Sequence, residues 1–444
     1  MINPVVYIPL ELKSRDLYSR LILAVELINK GLNIVIGQQW SLSKNIFNVP
    51  QGLFLFKTVN EIQATQMVDA VDAGHIVSAT DEEVLACACD ECFESGLCHT
   101  AAKNMHLFFA NSKKHAEIVK NQYTEMKNKT IITGNPRMEI AKKWGKILYQ
   151  KEIMRIKNEI GPYFLFNTNF GWVNSIWKEN EDPRDIAIRT GHLELGDKRS
   201  IEAYKDEIDW EKSNMYELER VIEWFTKLDT PLKTVIRPHP AEDVSYWKKK
   251  YSHKDIYIIE SSPPTPWILA SEALIHTTCT TGFEARLLEV PSLSITPKIN
   301  SKYHSYILSN LVSPTARNYD EAVEAISDFI LGNNNLIMNS NENNTKMKEF
   351  FPDLDKISPV RNISEIILNN IQKNIENEDL EYKWTLRKDC SWVNLSRRKE
   401  WINKFSASTE EIASKVQIIG NILNVNKEIK VQKIDDSLFN IWSN

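Results

Sequence analysis

TVIRPHPAED (234–243) and EALIHTTCTTGFEARLLE (272–289) are the two stretches whose reading decides the fold. In the first, an apolar strand over Thr234–Ile236 runs straight into Arg237-Pro238-His239-Pro240. In the second, a short strand over Ala273–Ile275 gives way to Thr and Cys residues, then Gly282, then a helix. Both are strand ends that deliver polar groups to one edge of a sheet. In open α/β sheets that edge is where ligands bind. Arg237, His239 and the backbone N–H groups at Thr280, Thr281 and Gly282 together read as an anion site suited to a nucleotide phosphate.

Working outward, strand and helix alternate at short spacing on both sides. VVYIPLE (5–11), NIVIGQ (33–38), GLFLFKT (52–58), HIVSATDEE (75–83), LFFANS (107–112) and TIITGNPR (130–137) read as strands. LYSRLILAVELINKG (17–31) is an amphipathic helix closed by Gly31. The pattern predicts a parallel, doubly wound sheet ending near Met138. A charged helical stretch follows, and PYFLFNTNFG (162–171) restarts the pattern. About Trp172–Lys205 reads as an inserted loop or lid, and 215–228 as a helix. The expected fold class is therefore α/β: two doubly wound Rossmann-like domains facing a cleft, plus a C-terminal helical extension. The expected domains are a first Rossmann-like domain (1–142), a connector (143–160), a second Rossmann-like domain (161–332), an Asn-rich linker (333–346) and the helical extension (347–444). Trp384, Trp392, Trp401 and Trp442 in the tail are read as packing that extension.

Composition excludes several classes. The 444 residues are 42% hydrophobic and 25% charged, with net charge −5. No general nucleic-acid field follows from that balance. The chain enters an apolar strand at once, so no signal peptide is expected. No stretch approaches the roughly 18 apolar residues of a membrane helix. Of six Cys, four fall within Cys87–Cys98, which is no secreted disulfide framework at this length and implies a reducing cytoplasm.

The chemical candidates each carry a plainer reading. The prolines of RPHP hold Arg237 and His239 on a rigid backbone, where His239 can donate to, or protonate, a phosphate oxygen; the plainer reading is a strand-end turn. Thr281 and Glu284 fit a capping box, and Glu284 alternatively accepts a ribose hydroxyl. Asp81-Glu82-Glu83 stand at a strand end, where neighbouring carboxylates raise one another's pKa and suit a general base; alternatively they are an acidic first helical turn. Asn167 and Asn169 open the second sheet with short amides that bond a ligand or form a turn. Arg15 sits on the exit loop of the first strand. Cys87, Cys89, Cys92, Cys98 and His99 are spaced wrongly for zinc, and read as small buried hydrophobes rather than a metal or cluster site. On a helix starting near Glu83, Cys89 and Cys92 would share a face and Cys87 would not.

These residues resemble a family. VYIPLELKSRDLYSRLILA, VSATDEEVL, TGNPRMEIA, FLFNTNFG, VIRPHP and TTGFEA occur in that order, over roughly residues 5–300. The chain is similar to the bacterial surface carbohydrate biosynthesis proteins, glycosyltransferases of the GT-B fold. More distantly it resembles polysialyltransferases, Kdo transferases and CDP-glycerol glycerophosphotransferases. The resemblance implies Asp81 or Glu82 as base, His239 as a phosphate ligand, and Thr280 and Thr281 as phosphate clamps. Glu83-Val84 stands where such proteins carry Gly after the acids.

The expectation is a glycosyltransferase moving a sugar from a nucleotide-activated donor, a CMP-sugar being one candidate, to a glycan or lipid-linked acceptor. Arg237, Thr280, Thr281, Gly282, Glu284, Asn167 and Asn169 would hold the donor, with Arg15 and Glu83 facing the acceptor. No cofactor or metal is expected beyond the nucleotide sugar. The location would be cytoplasmic, peripheral at the membrane where the acceptor is lipid-linked. Two other readings stand beside it: a sugar-nucleotide 2-epimerase on the same fold, and a metal-binding or redox protein built on Cys87–Cys98.

Overall fold

The computed structural model describes residues 4–177, 181–189, 191–252, 255–260, 262–298, 307–337, 347–376, 404–435 and 437–443. The chain divides into two compact units: 1–85 with 90–144 and 345–444, and 86–89 with 145–344.

The first unit is built on parallel strands β1 (Val5–Leu10), β2 (Asn33–Gln38), β3 (Leu53–Phe56), β4 (Ile76–Thr80), β5 (Leu107–Ala110) and β6 (Thr130–Ile132), in the order β2-β1-β3-β4-β5-β6. Every residue of β1, β3, β4 and β5 is buried, as expected of a parallel sheet covered on both faces. The chain moves from β2 on one side of β1 to β3 on the other, so the β1/β3 gap is the switch point of this sheet. Intervening helices start on side-chain caps, Asn60 accepting from Gln63 N and Ser112 from His115 N.

The tail belongs to this unit. Helices Pro359–Glu376 and Thr409–Ile422 both pack on the helix Lys13–Asn29. The helices expected there are present, and a hairpin that periodicity did not announce follows them: β13 (Ile429–Asp435) and β14 (Leu438–Ser443). β14 pairs antiparallel with β2, with Phe439 opposite Ile36, and so extends the first sheet. Gly37 admits it, because a Cβ there would lie 2.1 Å from the Ser437 carbonyl oxygen. Trp442 lies on β14 opposite Lys430, in a strand rather than a helical pack. Trp384, Trp392, Trp401, Cys390 and residues 338–346 of the Asn-rich stretch lie outside the described residues.

The second unit carries β7 (Tyr163–Asn167), β8 (Lys233–Arg237), β9 (Ile256–Ile258), β10 (Ala273–His276), β11 (Ser292–Ile295) and β12 (Thr315–Ala316). All are parallel, in the order β12-β11-β10-β7-β8-β9. Numbered from β7, that is 3-2-1-4-5-6, the dinucleotide-fold order, with its switch point between β7 and β10. Its core stacks Phe164 on Phe225 at 4.9 Å and buries Phe166, Phe170 and Trp247. The stretch read as a connector packs here: helix Gln150–Ile160 lies against helix Pro264–Ala270.

The largest departure from the sequence reading is local. Helix starts at Lys198, not at 215, and runs unbroken to Phe225, capped by the Asp197 side chain on Arg199 N. None of the residues in its first two turns is buried, so no apolar stripe announces them. A shorter helix, Pro183–Arg189, precedes it. Both parts of the segment expected to be a loop are thus partly helical.

Candidate active site

At the switch point of the second sheet, β7 ends at Asn167 and β10 at His276. Asn167 is buried, and its Nδ2 donates to Thr281 Oγ1 at 2.9 Å, tying the two strand ends together. Asn167 Oδ1 is buried with no partner among the described residues. The helix Thr280–Leu287 begins there. Its N-cap is Cys279, with no side-chain cap bond, so the capping box expected of Thr281 and Glu284 does not form. Thr281 already stands inside the helix, two residues past the N-cap. Glu284 is buried and so is the Cys279 thiol, whose pKa burial pushes up. The helix N-terminus is therefore left to the groups around it, including Thr280 and Thr281.

The chain reaches this point under constraint. Thr278 has φ of +53°, a left-handed conformation uncommon for a β-branched residue. A Cβ on Gly282 would sit 2.2 Å from His276 Nε2. Glycine lets the helix lie directly on the buried His276 ring, which bonds Ser313 Oγ at 3.2 Å.

The RPHP loop is organised by Glu242, which sequence reasoning did not single out. Its buried carboxyl accepts from Thr168 Oγ1 (2.5 Å), Phe170 N (3.1 Å), His239 N (3.1 Å), Trp247 Nε1 (3.0 Å) and Asn174 Nδ2 (3.4 Å). Burial raises its pKa while these donors pull it back. The only sequence signal was an acid three residues after His239 in a tight apolar context. Backbone bonds complete the clamp: Ile176 N to Ala241 O at 2.9 Å and Asp243 N to Asn174 O at 2.8 Å. The loop after β7 and the loop after β8 thus form one rigid piece.

His239 is half-buried on that piece. Its Nδ1 accepts from Ala241 N at 3.2 Å, which places the proton of a neutral ring on Nε2. It lines a cavity of about 330 Å³ together with Asn169. Arg237 turns elsewhere: its Nη2 and Nε donate to the Ser262 carbonyl at 2.7 and 3.2 Å, and it is 7% exposed. The structure therefore joins Asn167 to Thr281, and Asn169 to His239, while Arg237 braces the start of a neighbouring loop.

The first unit presents a charged cluster at its own switch point. Lys57 Nζ, past the end of β3, bonds Glu11 Oε2, past the end of β1, at 2.6 Å. Burial raises the Glu11 pKa, but Lys57, Arg15 and Lys404 overcome it and hold the carboxyl down at about 2. Arg15 pairs with Asp16 at 2.7 Å and Glu11 at 3.2 Å. Lys57 reaches Glu83 at 3.3 Å. From the tail, Lys404 reaches Glu11 at 3.4 Å, and Glu411 takes Lys13 at 2.6 Å.

The acids of the DEE motif differ sharply. Asp81 is 1% exposed, and burial with the nearby Glu83 charge raises its pKa well above the carboxylate range. Its Oδ1 accepts from Glu83 N at 3.2 Å, while Oδ2 is buried with no partner among the described residues. Glu82 is bound to Arg20 at 2.8 Å, both side chains almost wholly buried. Arg20 is a pairing that the sequence left unmarked, because it sits on a helix face 62 residues away. Glu83 is the exposed acid.

The cysteines do not share one helix. Glu83–Ala86 is a single 3-10 turn, Cys87 bridges antiparallel to Ile307, and a new helix starts at Asp90. Cys87 and Cys92 are each in a disulfide, unlike the thiols expected from a reducing setting, while Cys98 is the N-cap of helix His99–Asn104. Among the described residues no three His, Cys, Asp or Glu side chains are grouped to hold a metal ion. Nor is any helix there long and apolar enough to cross a membrane.

Comparison with known proteins gives likeness at the level of structure. No family profile matches the chain. No curated protein matches it. A structure described as a UDP-N-acetylglucosamine 2-epimerase from Listeria monocytogenes is similar at TM-score 0.49 and 12% identity, covering 84% of this chain and 97% of that one. The Neisseria meningitidis UDP-GlcNAc 2-epimerase bound to UDP-GlcNAc gives 0.47 and 12%, covering 84% and 100%. The wall teichoic acid polymerase TagF, a variant soaked with CDPG, gives 0.48 and 10%, covering 85% and 90%.

Proposed function

We propose that the chain is a nucleotide-sugar enzyme, and that it transfers a glycosyl group to a glycan or lipid-linked acceptor. The observation that carries this reading is the Asn167–Thr281 bond at 2.9 Å, which sets an uncapped helix N-terminus at the switch point of a 3-2-1-4-5-6 sheet. Backbone N–H groups there suit a phosphate, and His239 stands on the adjoining clamped loop. In the transfer, an acceptor hydroxyl oxygen forms the new bond to the sugar's anomeric carbon. The bond from that carbon to the donor phosphate breaks, and its electron pair leaves with the phosphate. The helix N-terminus and His239 Nε2 would stabilise that charge. The hydroxyl proton passes to a carboxylate. Of the acids at 81–83, Glu82 is committed to Arg20 and burial holds Asp81 neutral, which leaves the exposed Glu83 for that role.

The test is a thermal-shift screen against CMP, CDP, UDP, GDP and ADP. A rise with one nucleotide class supports the reading and names the donor; no shift with any of them overturns it.

A second reading, sugar-nucleotide 2-epimerisation, is favoured by one observation: Glu207, Glu211 and His239 line a single cavity within the second unit. Proton transfer at a sugar carbon needs such groups and no acceptor. Incubation with UDP-GlcNAc alone separates the readings, since an epimer appearing without acceptor removes the transferase.

A further inference from the structure

The cavity beside His239 is built from four pieces of chain, one of them the short helix Pro183–Arg189 through Ile186. The loop after β7 supplies Asn169, Trp172, Ser175 and Trp177. The long helix Lys198–Phe225 supplies Glu207, Trp210 and Glu211, spaced three and four apart on one face. His239 and Ala241 complete it. At about 330 Å³ it falls within the range of small-ligand sites.

Its lining is held in place. Glu211 is 5% exposed and accepts the Trp172 backbone N–H at 3.2 Å on both oxygens, locking helix to loop. The Trp172 ring is backed by His192, stacked at 4.9 Å, and His192 in turn bonds Glu207 at 2.7 Å. The β7 and β8 loops are already joined through Glu242. Three indoles with carboxyl, amide, hydroxyl and imidazole groups between them form a mixed surface. A pyranose matches it: its C–H face lies on an indole while its hydroxyls take the polar groups.

We propose that this cavity is a carbohydrate subsite, with Trp172 and Trp210 holding the sugar ring and Glu211 reading a sugar hydroxyl. The inference rests on the nucleotide-sugar reading and assigns the sugar end of the ligand. Burial pushes the Glu211 pKa up to about 8, with the charges of Glu242 and Glu207 adding to it and the Trp172 and Val173 N–H groups opposing it. The other titratable groups around it are His239 in the lining, Tyr204 edge-on to Trp172, and His192, whose bond to Glu207 raises its pKa. Below about pH 8 Glu211 is a hydrogen-bond donor; above it, the donor is lost.

The test compares UDP with UDP-GlcNAc, and CMP with CMP-N-acetylneuraminic acid, by calorimetry on the full chain. In the wild type at pH 7 the sugar should tighten binding by about tenfold for one pair, a margin worth about one well-made polar contact. Trp172→Ala should erase that gain and leave nucleotide affinity unchanged. Trp177→Ala, at a 48% exposed position, provides a second variant whose folding is not in question. Glu211→Gln should keep the gain at both pH 7 and pH 9, where the wild type should lose it at pH 9. Equal affinity for nucleotide and nucleotide sugar overturns the subsite and leaves the nucleotide site standing. A wild-type gain unchanged at pH 9 overturns the role of Glu211. Should neither nucleotide bind, saturation-transfer NMR with free N-acetylglucosamine decides: a signal lost in Trp172→Ala keeps the subsite without the nucleotide, and no signal removes it.

Discussion

Asn167 Nδ2 donates to Thr281 Oγ1 at 2.9 Å, joining the ends of β7 and β10 where the strand order of the second sheet reverses. One side-chain bond thus spans the crevice in which a sheet of this order takes its ligand. It also fixes the hydroxyl of Thr281 relative to the helix N-terminus.

Thr281→Val keeps the shape and removes the acceptor. The buried Asn167 amide then loses its partner, and stability should fall by about 1–3 kcal/mol. Affinity for the nucleotide found in the screen should fall about tenfold. Calorimetry and thermal unfolding check both, and unchanged nucleotide affinity would place the phosphate elsewhere.

Gly282→Ala brings a methyl group against the His276 ring, which is buried and cannot swing away. Overpacking of this kind should cost about 1–3 kcal/mol. The helix should also shift, so nucleotide binding should weaken with it. Thermal melts with and without nucleotide measure the two effects.

Glu242→Ala removes the acceptor of four N–H donors and the Thr168 hydroxyl at once. The loss should be about 3–5 kcal/mol. Glu242→Gln, which retains one acceptor oxygen, should lose less. His239→Ala should leave the melting temperature near that of the wild type and abolish turnover; near-normal turnover would remove His239 from the site.

Asp81 and Glu82 should separate on stability. Asp81 is buried with a raised pKa, so Asp81→Asn exchanges one neutral group for another and should barely change the melt. Glu82→Gln leaves Arg20 as a buried charge without its counter-ion, and should cost about 3–5 kcal/mol. Equal melting losses in the two variants would contradict this division.

The Glu11–Lys57 pair sets an acid limit. The Glu11 carboxyl is held at about 2, below its unfolded value, so its stabilisation is present above the unfolded pKa near 4.5. It should be lost as pH falls from there through about 2. Urea melts between pH 6 and 2 should show a smaller decline in Glu11→Gln than in the wild type.

Much of the second unit was legible in the chain because parallel strands are buried on both faces and read as continuous apolar runs. Phe164–Phe166 and Val235–Ile236 announce themselves in this way. The polar residues just past such runs, His239 and Thr280–Gly282, follow as site candidates because strand ends have a fixed place in this fold. The Asn167–Thr281 bond was not legible: its partners lie 114 residues apart, and only the strand order brings them together.

The charged half of the long helix was hidden for a different reason. Periodicity reports only a face that is buried along its length, and Lys198–Glu207 is largely solvated. Glu211 and Trp210 therefore gave no sign of lining a cavity with His239. By itself the sequence determined the two parallel sheets and the strand ends that carry polar groups, since both follow from local apolar patterning. Tertiary structure alone decided which acids are free to act. Burial closes Asp81 and Arg20 engages Glu82, while Glu242 is spent on the loop that carries His239. Those outcomes depend on charges and donors brought from distant parts of the chain, and no spacing within one motif encodes them.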